Sequence, residues 1–411
     1  MPIVSVFTPA HTDRFLRDAY ASLQAQTFTD WEWIVLRNNG CPTVAFDDPR
    51  VKVYEDRYLP PWVGALKAKA CSLASGDILV ELDHDDLLMP TALAEVAAAF
   101  IDPTIGFAYS NTIYAGYDPA TGRMSRTQRF DERFGWRYRE VQLDGQTLDE
   151  HIAFPPTPDS LSRIWFAPNH LRAFRRSAYE QVGGYSAGMR VLDDQDLMCR
   201  LYLSTGFRHI DRGLYVYRVH GENTWLRNNA EIQQNVDRMY EAYAEPMAER
   251  WADLHGLRKI ELGGRFAART GYETLDLKDA DIISDLNERW PFEDGSVGIL
   301  RSFDVFEHLK DSIHTMKEAA RVLAPGGWLI GQVPSTDGRG AFQDPTHVSF
   351  WNENSFAYYT DARKARYIDT PVRFQAARVY TTPLDEERVC WVRFHLLNLA
   401  GGYRPAGELL I

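Results

Sequence analysis

GDILVELDHDDLL, residues 76–88, decides how the first half of the chain folds. Its apolar residues predict a buried strand, and three aspartates with one histidine follow directly. Because an isolated buried charge is too costly, these carboxylates must be solvated, hydrogen-bonded or bound to a cation. Asp83 and Asp85 point roughly the same way if strand geometry persists, and oxygen ligands suit Mg²⁺ or Mn²⁺. Taken alone, the stretch leaves an acidic loop or a helix cap open.

Strand and helix patterns alternate on both sides of this stretch. The strand patterns include PIVSVFTP, WEWIVLRN and RVKVYED, and the helix patterns include TDRFLRDAYASLQAQ and VGALKAKACSLAS. This order predicts an α/β sheet with largely parallel strands, whose ligands bind beyond the carboxyl ends of the strands. A hairpin is predicted around residues 119–122, where the pattern changes.

A second α/β pattern begins after Gly256 and ends in QAARVYTT and RVCWVRFHL, which could close its sheet as an antiparallel pair. A charged helical stretch that Pro246 interrupts precedes it. We therefore predict a first domain over residues 1–228, a helical linker over 229–256 and a second domain over 257–411.

Composition limits the classes of function. The chain has 411 residues, of which 45% are hydrophobic and 25% charged, and its net charge of −12 argues against nonspecific nucleic-acid binding. Its four cysteines are scattered without CxxC spacing, which favours a reducing cytoplasm over a disulfide frame or a zinc site. We see no signal-peptide pattern and no apolar run of about 18 residues, and expect no transmembrane helix.

Four separated motifs occur in the order found in family 2 glycosyltransferases of the GT-A fold, which the chain resembles from its start to about residue 228. They are SVFTPAHTDRFLRDAY, VGALKAKACSLASGDILVELDHDDLL, RRSAYEQVGGY…LDDQDLMCRL and YVYRVHGENTW. The resemblance implies inverting transfer of a sugar from a nucleotide diphosphate sugar to a hydroxyl acceptor, such as a glycan or glycoconjugate.

By this resemblance, Asp85 is the direct metal ligand, Asp83 lies nearer the ribose or the metal, and His220 reaches the metal or the diphosphate. The metal, Mn²⁺ or Mg²⁺, neutralises charge on the departing diphosphate. Inversion needs one base, which the resemblance places at Asp194, with Asp193 contacting the acceptor or orienting the loop. A surface histidine and an acidic first helical turn are the alternatives.

The nucleotide-sugar-binding residues that the resemblance implies are Thr8, Pro9, Ala10, Asn38, Asn39, Lys69 and Asp83. Lys69 occupies the place of a basic residue near the nucleotide or diphosphate, with an exposed helix lysine as the alternative. The family usually has an aspartate where this chain has Asn38 and Asn39. An amide both donates and accepts, whereas a carboxylate only accepts, so the base preference stays open and a UDP-sugar is the default.

Aspartate-nucleophile phosphatases also carry a DxD motif. They place it on the first strand and need Thr or Val two residues beyond the second aspartate, where this chain has Leu87. The phosphatase interpretation is therefore not favoured.

KIELGG, PFEDGS and RVLAPGG occur in the order of class I S-adenosylmethionine-dependent methyltransferases, which residues 257–411 resemble. The resemblance implies a Rossmann-like domain in which Glu261, Gly263 and Gly264 line the methionine moiety, Asp276 binds the ribose and Asp285 lies near the adenine. The family has a second glycine where this chain has Arg265. An active methyltransferase and a noncatalytic acceptor-binding or scaffold module both remain open.

Residues 334–356 follow the fifth strand of this domain, where such folds place acceptor-binding groups. Asp344, His347 and Trp351 are the candidates, because aromatic faces beside polar groups suit a sugar ring. A packed lid held by buried hydrogen bonds is the alternative, and His308 in FEHLKD is predicted to be structural.

Overall fold

A computed structural model describes residues 3–164, 166–221, 223–264, 269–371 and 373–404. The chain forms two compact units, Met1–Ala244 and Glu245–Ile411. One helix, Thr224–Leu254, carries the chain from the first unit into the second and contains Pro246, so the proline does not interrupt it. The bounds given above for the two domains and the linker stay predictions.

The first unit is a mixed α/β structure. Its elements, in chain order, are β1 (Val4–Ala10), α1 (Leu16–Gln24), β2 (Trp31–Arg37), β3 (Val51–Glu55), α2 (Val63–Leu73), β4 (Ile78–Glu81), β5 (Leu87–Leu88), α3 (Ala92–Ala99), β6 (Ile105–Asp118), β7 (Arg123–Arg126), β8 (Tyr138–Leu143), β9 (Gln146–His151), α4 (Pro158–Arg163), β10 (Arg172–Arg175), α5 (Arg176–Gln181), α6 (Asp193–Tyr202), β11 (Gly206–Val219) and α7 (Thr224–Leu254).

The sheet of this unit follows the order β3-β2-β1-β4-β10-β6-β11-β5. Its first four strands are parallel, as the alternating pattern predicts, and β10 lies antiparallel between β4 and β6. The carboxyl ends of β1, β2 and β4 therefore meet at one edge, where β10 begins. The hairpin around residues 119–122 is confirmed, because β6 and β7 pair antiparallel.

Glu32 is a buried carboxylate on β2. Its Oε1 accepts hydrogen bonds from the Ser5 and Ser75 hydroxyls, at 2.5 and 2.7 Å, and from the Ser75 backbone N–H at 2.6 Å. Its Oε2 lies 2.5 Å from the Lys52 ammonium. Burial alone would raise the pKa of Glu32, but these partners lower it to about 2. Glu32 thus links β1, β3 and the start of the acidic strand through one charge.

We expect Glu32→Gln to lower the free energy of unfolding by about 2 kcal/mol at neutral pH. The pKa of Glu32 is lower in the folded state, so its stabilisation is present above the unfolded pKa and is lost as pH falls. The difference between wild type and variant should therefore shrink from about pH 5 to about pH 2. Urea unfolding across this range measures it, with Glu55→Gln as the exposed control. A difference that does not change with pH would contradict the assignment.

The second unit holds a seven-stranded sheet of order β14-β13-β12-β15-β16-β18-β17. Its elements are β12 (Arg258–Leu262), β13 (Glu273–Asp276), β14 (Ile282–Ile283), β15 (Val297–Phe303), α8 (Ser312–Val322), β16 (Leu323–Pro334), α9 (Gly340–Gln343), α10 (Glu353–Thr360), α11 (Ala362–Ala365), β17 (Phe374–Thr381) and β18 (Trp391–Asn398). The strands from β14 to β16 pair parallel. The predicted antiparallel closure by the last two strands is confirmed.

None of the helices in the described ranges combines the length and the apolar character that crossing a membrane requires.

Candidate active site

The end of β1 carries the predicted nucleotide-binding turn. The Thr8 hydroxyl is buried, donates to the Leu82 carbonyl at 2.7 Å and accepts the Trp33 indole N–H at 2.8 Å. It is therefore used within the protein, where it ties β1 to the acidic turn. Pro9 and Ala10 complete the strand.

The two asparagines after β2 have different environments. Asn38 is buried, and its backbone N–H donates to the Ala10 carbonyl at 3.0 Å. Asn39 is exposed and has a positive φ of 50°, which asparagine tolerates better than most residues. Only Asn38 is thus held against the end of β1.

The acidic turn after β4 presents two aspartates, each beside an imidazole. The Asp85 Oδ2 lies 2.8 Å from the Nε2 of His220, which directly follows β11. The Asp83 Oδ2 lies 3.7 Å from the Nε2 of His170, just before β10. The predicted proximity of His220 to the aspartates is present in the structure, whereas His170 was missed.

Asp86, the third aspartate of the turn, has a structural role. Its side chain is buried, and its Oδ1 accepts the backbone N–H of Arg218 at 2.8 Å. Burial raises the pKa of Asp86 well above its usual range. The guanidinium of Arg218 donates to the Asp85 carbonyl and pairs with Asp18 at 2.7 Å, which holds the turn against β11.

Behind the turn lies a group of charged side chains that we call the charge cluster: Lys67, Glu81, Arg172, Asp193 and Asp194. The Lys67 Nζ lies 2.5 Å from the Glu81 Oε1 and 3.3 Å from the Asp193 Oδ2. The Arg172 Nη1 lies 3.7 Å from the Glu81 Oε2 and 2.5 Å from the Asp194 Oδ2. The cluster thereby connects α2, β4, β10 and the first turn of α6.

Burial acts to raise the pKa of every acid in the charge cluster, and the nearby cations act to lower it. Lys67 holds the pKa of Glu81 well below its usual range, and Arg172 lowers that of Asp194. Burial instead prevails at Asp193, whose pKa rises to about 6 despite Lys67, and it also raises the pKa of Asp83. Two permanent cations thus face four carboxylates, which leaves this edge short of positive charge.

Asp193 and Asp194 begin α6, where the helix dipole favours negative charge. The side chain of Asp193 is 5% exposed and that of Asp194 is 18% exposed. The Asp194 Oδ1 accepts the Gln195 backbone N–H at 2.8 Å, which fixes its carboxylate. Asp194 is therefore the acid of the pair that a bound molecule can reach more readily.

Sequence reasoning chose Lys69 as the basic residue near the nucleotide, and the structure places another lysine, Lys67, in the charge cluster. Both lie on α2, but Lys67 is buried and Lys69 only half-buried. The helical period could have indicated Lys67 as the buried lysine. It shares the buried face of α2 with Ala70 and Cys71, which lie three and four residues further along the helix.

The predicted cofactor residues of the second unit surround the ends of β12 and β13. The Glu261 carboxylate lies 3.0 Å from the Arg301 Nε, so it is already paired. Gly263 has a φ of +68°, and a Cβ there would lie 2.5 Å from Val305. At the end of β13, one Asp276 oxygen accepts the Leu277 N–H at 2.6 Å. Arg265 lies outside the described residues.

The remaining cofactor candidates make local contacts. A Cβ on Gly264 would lie 2.7 Å from a methyl group of Thr274, so the close approach of the turn after β12 to β13 requires glycine there. The Asp285 Oδ1 accepts the backbone and side-chain N–H groups of Asn287, both at 2.9 Å.

The predicted acceptor residues after β16 separate into two groups. Trp351 is 2% exposed, donates to the Ser349 hydroxyl at 3.0 Å and packs on Phe306 and Phe356. Its assignment to the acceptor is corrected, because a sugar cannot stack on a ring inside the core. Asp344 is exposed and lies 3.9 Å from the imidazole of His347.

The first unit combines four parallel strands with an acidic turn and a second acidic pair at their carboxyl edge, as in the GT-A fold. Residues 5–183 match the family model of glycosyl transferase family 2, and residues 262–331 match that of a methyltransferase domain. The chain thus carries a family 2 glycosyltransferase domain followed by a methyltransferase domain, which confirms the fold and the resemblance inferred from its sequence.

Several known proteins are similar to the chain. The O-antigen biosynthesis protein RfbC of Myxococcus xanthus is 28% identical over 227 residues, which cover 52% of this chain and 16% of that protein. Chondroitin synthase of Pasteurella multocida is 22% identical over 240 residues, which cover 56% of this chain and 22% of that protein. The chain therefore spans less than a quarter of either relative. The structure of S. aureus TarS 1–349 with UDP-GlcNAc has a TM-score of 0.41 at 14% identity, covering 61% of this chain and 71% of that one.

Proposed function

We propose that the first unit transfers a sugar, with inversion, from a nucleotide diphosphate sugar to a hydroxyl of a glycan or glycoconjugate. The shortage of positive charge at the carboxyl edge of the sheet carries this proposal. The names of the relatives, an O-antigen biosynthesis protein and a chondroitin synthase, support a glycan as the acceptor. The four cysteines are free and buried, which supports a reducing, cytoplasmic location.

A divalent cation, Mn²⁺ or Mg²⁺, fits the acidic turn. Asp83 and Asp85 would hold it, with His220 beside Asp85 and His170 beside Asp83. The two carboxylates suit either cation, and the two imidazoles favour Mn²⁺, because Mg²⁺ prefers oxygen ligands. When bound, the cation supplies Lewis-acid stabilisation of the diphosphate leaving group.

Asp194 is the base in this proposal. It takes the proton of the acceptor hydroxyl while that oxygen bonds to the anomeric carbon and the bond to the diphosphate oxygen breaks. Arg172 holds one oxygen of its carboxylate in place. Asp193 orients the loop through Lys67.

The donor nucleotide would bind along the ends of β1 and β2. We assign its contacts to the backbone of residues 8–10 and to Asn38, with Asn39 and Lys69 at the periphery. Asn38 and Asn39 leave the base preference open, and we take UDP as the default nucleotide.

Calorimetric titration of the full chain with UDP tests the donor site. We expect Mn²⁺ to strengthen UDP binding, and Asp85→Ala to reduce this gain at least about tenfold, because the variant loses a ligand. Asp30→Ala removes an exposed acid before β2 and serves as the control. Metal dependence that survives in Asp85→Ala would remove Asp85 from the site.

We further propose that the second unit binds S-adenosylmethionine and methylates the same glycan or product. Asp276 fits the ribose, with one oxygen held by Leu277, whereas Glu261 does not offer a free carboxylate because it is paired with Arg301. The cofactor supplies an electrophilic methyl group. Tethering raises the effective concentration of the product at the second site. The alternative is a noncatalytic acceptor-binding module.

Titration with S-adenosylhomocysteine separates these alternatives. We expect saturable one-to-one binding by the wild type. Asp276→Ala should weaken the affinity at least about tenfold, because it removes one hydrogen bond between a carboxylate and the ribose. Asp279→Asn, on the same loop, is the control. No binding by the wild type at millimolar ligand would leave the second unit as a module without methyl transfer.

A further inference from the structure

A second group of potential metal ligands lies in the second unit and shares no residue with the site assigned above to sugar transfer. Glu307, His308 and His347 each offer one ligand atom, and these atoms all lie within 4.8 Å of one another. The first two residues follow β15, and the third lies in the segment after β16. Sequence reasoning treated His308 as structural and His347 as an acceptor contact, and so did not connect them.

Glu307 is the buried member of this group. Its side chain is 2% exposed, and within the described part of the chain neither carboxylate oxygen has a hydrogen-bond partner. Its Oε1 lies 4.0 Å from the His347 Nε2, too far for a hydrogen bond. A buried carboxylate without partners is costly, which points to a bound cation between the two side chains.

Both imidazoles are oriented through their other nitrogen. The His347 Nδ1 lies 3.1 Å from the Ala341 carbonyl, and the His308 Nδ1 lies 3.3 Å from the Thr346 carbonyl. A carbonyl accepts an N–H, so each Nδ1 carries the proton and each Nε2 keeps its lone pair. Histidine ligands of metals are held by backbone carbonyls in this way.

The segment that carries His347 is fixed independently of any ion. The backbone N–H groups of Val348 and Ser349 donate to the Glu307 carbonyl at 2.8 and 3.0 Å. The exposed His308 and Asp344 leave the group accessible from solvent. The ligands are therefore positioned in advance, and an ion has a path to them.

We propose that Glu307, His308 and His347 bind a divalent first-row transition-metal ion, with Asp344 beside the open side of the site. Two imidazoles and one carboxylate favour such an ion over Mg²⁺ or Ca²⁺, which prefer oxygen ligands. The site requires neither glycosyl transfer nor S-adenosylmethionine binding, so it stands if either proposal above fails.

Cobalt(II) titration of the metal-free full chain tests the site, because imidazole ligation of Co²⁺ gives visible absorption bands. Asp83→Ala/Asp85→Ala removes the two carboxylates proposed to hold a cation in the acidic turn and should retain one equivalent of bound Co²⁺. Adding Glu307→Gln and His347→Ala should abolish that equivalent and its absorption bands. His314→Ala, at a half-buried histidine on α8 outside the group, should change neither. An unchanged equivalent in the folded quadruple variant overturns the proposal.

A measurement on the wild type keeps the test valid should the variants fail to fold. Zn²⁺ should protect His308 from acylation by diethyl pyrocarbonate, read by peptide mass spectrometry, and should leave His314 reactive. Equal modification of His308 with and without Zn²⁺ overturns the proposal.

Discussion

Asp194→Asn should slow sugar transfer by about 10²- to 10⁴-fold, the usual contribution of a positioned general base, and should leave donor affinity nearly unchanged. The amide keeps the shape of the carboxylate and can still accept from Arg172, but it cannot take up the acceptor proton. Steady-state release of the nucleoside diphosphate measures kcat, and calorimetry with the same nucleotide measures binding.

Asp193→Asn is the matched comparison for the base. The pKa of Asp193, about 6, lies nearer neutrality than that of Asp194, which would suit a base, but its carboxylate is nearly enclosed and faces Lys67. We therefore expect a smaller loss of kcat in this variant. Normal transfer by Asp194→Asn, together with loss in Asp193→Asn, would move the base to Asp193.

The position of the acidic turn was predictable from sequence, and most of its surroundings were not. Apolar strands fix where β1, β2 and β4 end, so local pattern suffices to bring residues 8–10, Asn38 and the aspartates to one edge. The contact between His220 and Asp85 joins residues far apart in the chain, and only the order of motifs indicated it.

The charge cluster depends on tertiary partners, which no local pattern specifies. Glu81 sits within an apolar strand, and its charge is tolerated only because Lys67 and Arg172 approach from α2 and β10. Trp351 was predicted to contact the acceptor but lies in the core. The sequence alone does not distinguish an exposed sugar-binding ring from a buried one. Pro246 was taken to interrupt a helix that in fact continues through it.

Lys67→Met should lower the free energy of unfolding of the first unit by about 3–5 kcal/mol, because it leaves Glu81 and Asp193 buried beside one another without their shared cation. The two units need not unfold together, so a single global transition is not assumed. Hydrogen exchange in peptides that cover α2 and β4, followed through urea, reports the stability of this region.

Lys69→Met makes the same chemical change two residues along the same helix, on its half-buried side, and should alter stability by no more than about 0.5 kcal/mol. Equal losses in the two variants would show that the helix, and not the ion pair, is being perturbed.

Lys67→Met/Glu81→Gln completes a double-mutant cycle. Because removing both members of a buried pair costs less than stranding one, the second substitution should restore part of the stability lost in the first. Additive losses would mean that Lys67 and Glu81 do not stabilise each other, and the charge cluster would then have to be held together through Arg172 alone.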